Sequence, residues 1–198
     1  MRLLEGLLAA ALFYLLGALP CSYIIGRLRG IDIREHGSGN VGATNVGRVL
    51  GWRYYPLALA LDLGKGVAAG LLASHWGSTG NWPLLLAGLA VVGHDWSIFI
   101  RFSGGKGVST SLGLLASLSW EAFLIAIVLW GLTLWRTRFA SVASLAALAL
   151  SPLTVWLFAR DPWGVVLMAA LTLLALLRHR ANLARLRRGE ESRAFQRD

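Results

Sequence analysis

Three stretches of this chain carry polar groups in patterns that could do chemistry, and each lies between apolar segments. The first, residues 35–51, reads EHGSGNVGATNVGRVLG. Its glycines, Gly39 and Gly42 among them, let the backbone bend so that N–H groups point at a ligand, and they let the ligand come close. Ser38, Asn40, Thr44 and Asn45 add neutral polar groups, and Arg48 adds a positive fork suited to phosphate. No G-K-[ST] closes the stretch, so it is not a Walker loop, and no strand precedes it as a dinucleotide fingerprint requires. A flexible loop needs glycine but not this repeated small-polar pattern with an arginine. The pattern predicts an anion site.

The second stretch, GHDWSIFIRFSGGKGVST at 93–110, sets Lys106 among Gly104, Gly105 and Gly107, with Ser109 and Thr110 opening the next helix. Exposed N–H groups, an ammonium and a helix N-terminus again make a phosphate binder. His94 and Asp95 form a polar pair in the inner part of an apolar span, placed either to bridge helices or to act in catalysis. The third stretch, HRANLARLRRGEE at 179–191, is basic. A positive amphipathic arm on an anionic membrane surface accounts for Arg180, Arg185, Arg187 and Arg188. It leaves His179 and Asn182, three apart on one helical face, for the site. Asp62 and Lys65, at i, i+3 inside another span, read as an internal ion pair, with Gly64 and Gly66 beside them for close helix contact.

The elements that position these groups are membrane helices. The chain is 56% hydrophobic and 15% charged over 198 residues, too few charges to cover a soluble domain. Hydropathy gives seven segments, 3–26, 55–74, 83–101, 107–119, 121–135, 140–158 and 163–178. The fourth is about 20 Å long as a helix, short of a ~30 Å hydrocarbon core. Merging it with the fifth would leave six. The charges favour seven: Arg27, Arg29, Arg34, Arg48 and Arg53, then Arg101 and Lys106, then Arg136 and Arg138, then the tail from Arg178, all fall on one side. The opposite loops, GSTGNW, SLSWEA and RDPWG, hold only Arg160. The positive-inside rule then puts the N-terminus outside and the C-terminus in the cytoplasm. The expectation is one all-α polytopic membrane domain, 1–198, with seven transmembrane helices, one of them short, and a basic cytoplasmic tail at 179–198.

Several classes are excluded. The net charge of +9 is spread between apolar spans rather than on one soluble face, which argues against nucleic acid. The single cysteine, Cys21, excludes an internal disulfide and a thiolate cluster, and the four histidines lack metal-ligand spacing, so no metal and no cofactor are expected. A lipoprotein cleavage site would put a small residue before Cys21 where Pro20 stands, so the first segment is read as a retained span.

Taken in order, GSGNVGATNVGRVLG, GGKGVST and HRANLARLRRGEE resemble the bacterial acyl-phosphate:glycerol-3-phosphate acyltransferases, the PlsY-type membrane enzymes. The resemblance covers nearly the whole chain. It implies transfer of an acyl chain from acyl phosphate to the 1-hydroxyl of sn-glycerol 3-phosphate, giving lysophosphatidic acid and inorganic phosphate at the cytoplasmic face of the bacterial inner membrane. Two departures stand out: Ser97 where the family usually has proline, and Ala181 where it has glutamate. Such a site needs orientation and charge neutralisation more than a covalent nucleophile, because the mixed anhydride already has a good leaving group. The expected roles are Ser38 with the N–H groups of Gly39 to Thr44 on the acyl phosphate, and Arg48 and Lys106 on the glycerol 3-phosphate. His179 and Asn182 orient the glycerol, with Ser141 joining them. The proton acceptor is left between His179 and the substrate's own phosphate. No histidine is followed by aspartate five residues on, so the dyad of thioester-using acyltransferases is missing. A serine hydrolase using Ser38 would need G-x-S-G, and His36 stands at its first position. A phosphate transporter would carry basic residues at the bilayer midplane.

Overall fold

The computed structural model describes residues 2–76 and 80–194. The outer turn at 77–79 and tail positions 195–198, both part of the topology expectation, lie outside the described residues. The helices are α1 (Arg2–Ala18), α2 (Cys21–Arg27), α3 (Ala43–Leu50), α4 (Tyr55–Ser74), α5 (Trp82–Ala87), α6 (Leu89–Asp95), α7 (Val108–Leu118), α8 (Trp120–Thr137), α9 (Ala140–Phe158), α10 (Pro162–Arg178) and α11 (Arg180–Arg187). The chain is an all-helical, polytopic membrane protein. Among the described residues, five stretches are long and apolar enough to cross a bilayer, and a sixth arises if α10 and α11, bent by 55° at His179, count as one broken span. The fourth apolar segment becomes α7, 11 residues long. It stays separate from α8 because Ser119 between them is extended and its hydroxyl accepts from the Ala122 N–H.

The first and third apolar segments are broken, and the breaks have identifiable partners. Pro20 separates α1 from α2. Backbone carbonyls freed inside a membrane need donors. Lys65 Nζ supplies them to Gly17 O at 3.1 Å and Leu19 O at 2.9 Å, and Ser97 Oγ donates to Ala18 O at 2.5 Å. Lys65 also lies 3.0 Å from Asp62 and 3.1 Å from His94 Nδ1, while Ser22 Oγ donates to Asp62 at 3.1 Å. The expected Asp62–Lys65 pair therefore forms, and it ties α1, α2, α4 and α6 together around the break. Ser97, at the position where a proline was expected, acts as a buried hydroxyl that satisfies a broken helix.

Small residues set the helix contacts. A Cβ on Gly66 would meet Thr110 O, and one on Gly113 would meet Leu63 O, so α4 and α7 touch backbone to backbone. Gly64 differs from expectation: it faces open space. Pro152 inside α9 removes the donor to the carbonyl four residues back. That carbonyl, Leu148 O, instead accepts from Ser151 Oγ at 2.7 Å and Thr172 Oγ1 at 2.8 Å. The buried core runs from Phe13 through Leu114, Leu115 and Leu148 to Met168, while leucines such as Leu132, Leu173 and Leu177 point outward.

Candidate active site

The three polar stretches, far apart in sequence, close around one cavity of about 500 Å³ at the arginine-rich end of the bundle. The first stretch is shaped by Asn45, which is 1% exposed. Its Oδ1 accepts from the Ser38 N–H at 2.9 Å, and its Nδ2 donates to Ile33 O at 2.9 Å and His36 O at 3.1 Å. Asn45 thus builds the loop with the amide that sequence reading assigned to substrate. Ser38, Asn40, Gly42, Thr44 and Arg48 line the cavity. Ala43 and Thr44 present the first turn of α3, where N–H groups have no partner within the helix. The cradle is narrower than Gly39 to Thr44: the Gly39 N–H donates to His36 O and the Gly42 N–H to Asn40 O. Gly39, at φ 69°, makes the turn and lies away from the cavity lining. The Arg48 guanidinium has neither hydrogen-bond nor ion-pair partner among the described residues, so a fixed positive charge faces the cavity unneutralised.

The second stretch divides into two roles. Gly104 and Gly105 do not line the cavity; they allow the turn to press on α6. A Cβ at 104 would strike His94 O, and one at 105 the His94 ring. The Gly105 N–H donates to His94 O at 3.0 Å and is not open to a ligand. Gly107, at φ 70°, caps α7, and with Val108 and Ser109 it brings a second helix N-terminus to the cavity. Lys106 reaches across to Asn182, donating to its Oδ1 at 2.5 Å. Burial pushes the Lys106 ammonium down to about 8, with Arg185, Arg178 and Arg48 adding to the fall and Glu191 opposing it. His94 and Asp95 bridge elements: His94 joins the Lys65 network, and fully buried Asp95 has Arg178 Nε 3.8 Å from its carboxylate.

The third stretch supplies more than was expected. His179 sits at the bend between α10 and α11, 3% exposed, with Nδ1 on Ala175 O at 2.7 Å. A carbonyl accepts, so Nδ1 carries the proton and Nε2 is the free lone pair. Burial, and then the charge of Lys106, hold its pKa down to about 4. Asn182 Nδ2 donates to Glu191 Oε1 at 2.6 Å, Ser141 Oγ donates to the same oxygen at 2.8 Å, and Arg185 Nε donates to Oε2 at 2.9 Å. Burial pushes the Glu191 carboxyl up, and bonds from Asn182, Ser141 and Arg185 outweigh it, leaving the pKa lowered.

Glu191 and Arg185 were missed as site residues. Arg185, read as part of a membrane-surface arm, lines the cavity instead. The tail turns back at Gly189, φ 71°, and is pinned where the Ala194 N–H donates to Arg138 O at 2.7 Å and Ala194 packs on Leu134 and Ala143. Glu191 closes the third motif, yet nothing in its spacing says that the chain reverses. Leu59, Leu112, Ile127 and Trp130 give the cavity an apolar part to its lining, with Trp130 Nε1 donating to Ser144 Oγ at 3.3 Å.

Two helix N-termini and the cations Arg48, Lys106 and Arg185 line this cavity together with apolar side chains, and a bundle of membrane helices around them defines a polytopic membrane protein with an anion-attracting cavity. The sequence profile described as glycerol-3-phosphate acyltransferase matches residues 7–189. A glycerol-3-phosphate acyltransferase of Desulforudis audaxviator is 43% identical over 194 residues, 98% of each chain. That of Rhodospirillum rubrum is 46% identical, covering 91% of this chain and 87% of its own. The crystal structure of PlsY (YgiH), an integral membrane glycerol 3-phosphate acyltransferase, in its glycerol 3-phosphate form, superposes with a TM-score of 0.87 at 34% identity over 96% of this chain and 95% of that one. Its lysophosphatidic acid form gives 0.86 at 38% identity, with the same coverage. The chain belongs to the glycerol-3-phosphate acyltransferase family and is an integral-membrane enzyme that acylates glycerol 3-phosphate.

Proposed function

We propose that the enzyme takes its acyl group from acyl phosphate and delivers it to the 1-hydroxyl of sn-glycerol 3-phosphate, releasing 1-acylglycerol 3-phosphate and inorganic phosphate. The observation that supports this reading is that two helix N-termini, each suited to an anion, line one cavity together with apolar side chains. One cradle is the α3 N-terminus with Ser38, the other the α7 N-terminus with Lys106 and Asn182. A thioester donor has sulfur, not phosphate, on its reacting carbon and would need only one there. In this reading the acyl tail lies along Leu59, Leu112, Ile127 and Trp130. Arg48 and Lys106 hold the phosphate of glycerol 3-phosphate, and Asn182 and Ser141 face its glycerol.

The 1-hydroxyl oxygen attacks the acyl carbonyl carbon, and the bond from that carbon to the phosphate oxygen breaks. The α3 N–H groups take up charge on the leaving phosphate. His179 Nε2 accepts a hydrogen bond from the hydroxyl and aims it. Burial and the charge of Lys106 disfavour the imidazolium form of His179, whereas a phosphate dianion, whose second ionisation lies near ~6, takes up a proton readily. We therefore assign the proton to an oxygen of a bound phosphate.

The seven-segment topology completes the proposal. The N-terminus lies outside, the C-terminus and cavity face the cytoplasm of a bacterial inner membrane, and α7 is a short buried helix. Purified enzyme given palmitoyl phosphate and glycerol 3-phosphate should release lysophosphatidic acid and inorganic phosphate one for one, with no comparable turnover of palmitoyl-CoA. Efficient transfer from the thioester would overturn the donor assignment.

A further inference from the structure

The turn that carries Lys106 has little to hold itself in place. Gly104 and Gly105 have no side chains, and Gly105 makes one backbone hydrogen bond through its N–H, to His94 O. What fixes its other side is Arg178. The Nη2 atom of Arg178 donates to Gly105 O at 2.7 Å and to Asp95 O at 3.1 Å, and its Nε donates to Gly105 O at 3.2 Å. The guanidinium lies over the Trp96 ring, 4.8 Å from its centroid, and its Nε is 3.8 Å from the Asp95 carboxylate. Both Asp95 carboxyl oxygens are buried without a hydrogen-bond donor among the described residues, and the Arg178 guanidinium is set beside them. The planar fork thus bridges the C-terminal end of α6 and the glycine turn, a geometry that a lysine ammonium does not reproduce.

Arg178 is also the residue before His179. It therefore joins the loop bearing Lys106 to the bend bearing His179 and Asn182. We propose that Arg178 is a positioning residue for glycerol 3-phosphate: its clamp on the Asp95 and Gly105 carbonyls fixes Lys106 relative to His179 and Asn182. The inference rests on the reading above in which Lys106 binds the phosphate of glycerol 3-phosphate. Arg178 itself does not line the cavity, so it acts through the turn rather than on substrate.

The test uses full-length enzyme in detergent, with Arg178→Lys, Lys106→Ala and the double variant. Arg178→Lys keeps the charge and the stem, so its thermal unfolding midpoint should stay close to that of the unaltered protein. Its KM for glycerol 3-phosphate should rise about tenfold, the effect of losing one charge-assisted bond, while its KM for palmitoyl phosphate stays within about twofold. In the Lys106→Ala background the same substitution should change the glycerol 3-phosphate KM by less than about twofold, because residues that act through one group are not additive. A general packing role would instead move both KM values alike, and its effect would multiply with that of Lys106→Ala. Either result would overturn the positioning role and leave the substrate assignment standing. If Lys106→Ala itself left the glycerol 3-phosphate KM unchanged, the site assignment and the inference would fall together.

Discussion

Lys106 Nζ and Asn182 Oδ1 are 2.5 Å apart across 76 residues of sequence. The partner is a neutral amide, so the lysine is held without being neutralised. The negative charge nearby, Glu191, is the next side chain in the hydrogen-bond network, accepting from the other end of the Asn182 amide. An arriving phosphate therefore meets an oriented and unspent cation, with Arg48 free beside it.

Charge at these two positions should dominate glycerol 3-phosphate use. Arg48→Ala and Lys106→Ala are each expected to lower kcat/KM for glycerol 3-phosphate by at least ~2 kcal/mol, roughly thirtyfold, because a bound phosphate loses a charge-assisted partner. Arg187→Ala, at an exposed residue of α11 outside the cavity lining, should have little effect. Steady-state kinetics on the three purified variants decide it: equal damage at Arg187 and Arg48 would mean that the cavity is not the substrate site.

Much of this was legible in the sequence because lipid leaves few alternatives. Apolar runs became helices almost to the residue at Tyr55–Ser74 and Ala140–Phe158. Motif residues such as Ser38, Arg48, Lys106, His179 and Asn182 do converge on one cavity. What could not be read was how polar groups are shared out between site and scaffold. Asn45 and Gly105 look like ligand-binding residues by type; Asn45 does line the cavity, but its amide bonds to Ser38, Ile33 and His36, and Gly105 bonds to His94 and Arg178 within the fold. The role of Glu191 depends on the tail reversing at Gly189 and docking Ala194 on α8 and α9, a tertiary contact with no local signal. Asp62 and Lys65 had to wait for the Pro20 break to show which carbonyls they serve.

The pH dependence follows from Lys106. Burial lowers its pKa to about 8, with Glu191 pulling the other way and Arg185, Arg178 and Arg48 pushing it down further. The ammonium is the form that binds phosphate, and it is present below that pKa and lost above it. kcat/KM for glycerol 3-phosphate, which reports the free enzyme, should therefore fall as pH rises through about 8. Lys106→Arg should move that alkaline limb beyond the accessible range, since arginine stays charged. An unchanged limb in the arginine variant would assign the ionisation elsewhere.

Orientation can be read by labelling. In a Cys21→Ser background, a membrane-impermeant maleimide added to intact spheroplasts should modify Asn81→Cys and leave Arg188→Cys untouched until the membrane is opened. Both positions are exposed, so burial does not confound the result. The opposite pattern would place the cavity on the outer face and separate it from a cytoplasmic substrate.

Position 97 offers a test of the scaffold. Ser97 has φ −71° and ψ 122°, a conformation that proline accepts, while Trp96 before it, at φ −132° and ψ 69°, is extended in φ but short of the ψ usual before proline. Ser97→Ala leaves Ala18 O without its hydroxyl donor and should cost ~1 to 2 kcal/mol. Ser97→Pro loses the same bond but stiffens the unfolded chain, which returns about 0.4 to 1 kcal/mol. Thermal unfolding in detergent should rank the proline variant between the native protein and the alanine variant. A proline variant less stable than alanine would mean that the turn is more tightly constrained than these angles imply.

The last prediction separates the two cradles. Ser38 and the α3 N-terminus are assigned to the donor, Lys106 and Asn182 to the acceptor. The first cradle keeps its shape through Asn45, whose amide accepts from the Ser38 N–H and donates to two carbonyls. Asn45→Asp keeps the size and the accepting oxygen but deletes both donors, and it sets a negative charge beside the place where a phosphate would sit. Ser38→Ala removes a hydroxyl that has no hydrogen-bond partner among the described residues, so its loss should register on substrate rather than on stability. Both variants should raise the KM for palmitoyl phosphate, Asn45→Asp more than Ser38→Ala, while the KM for glycerol 3-phosphate stays near its native value. Lys106→Ala should do the reverse. If Ser38→Ala instead raised the glycerol 3-phosphate KM and left palmitoyl phosphate alone, the two phosphates would have to be exchanged between the cradles, and the leaving group would depart towards α7.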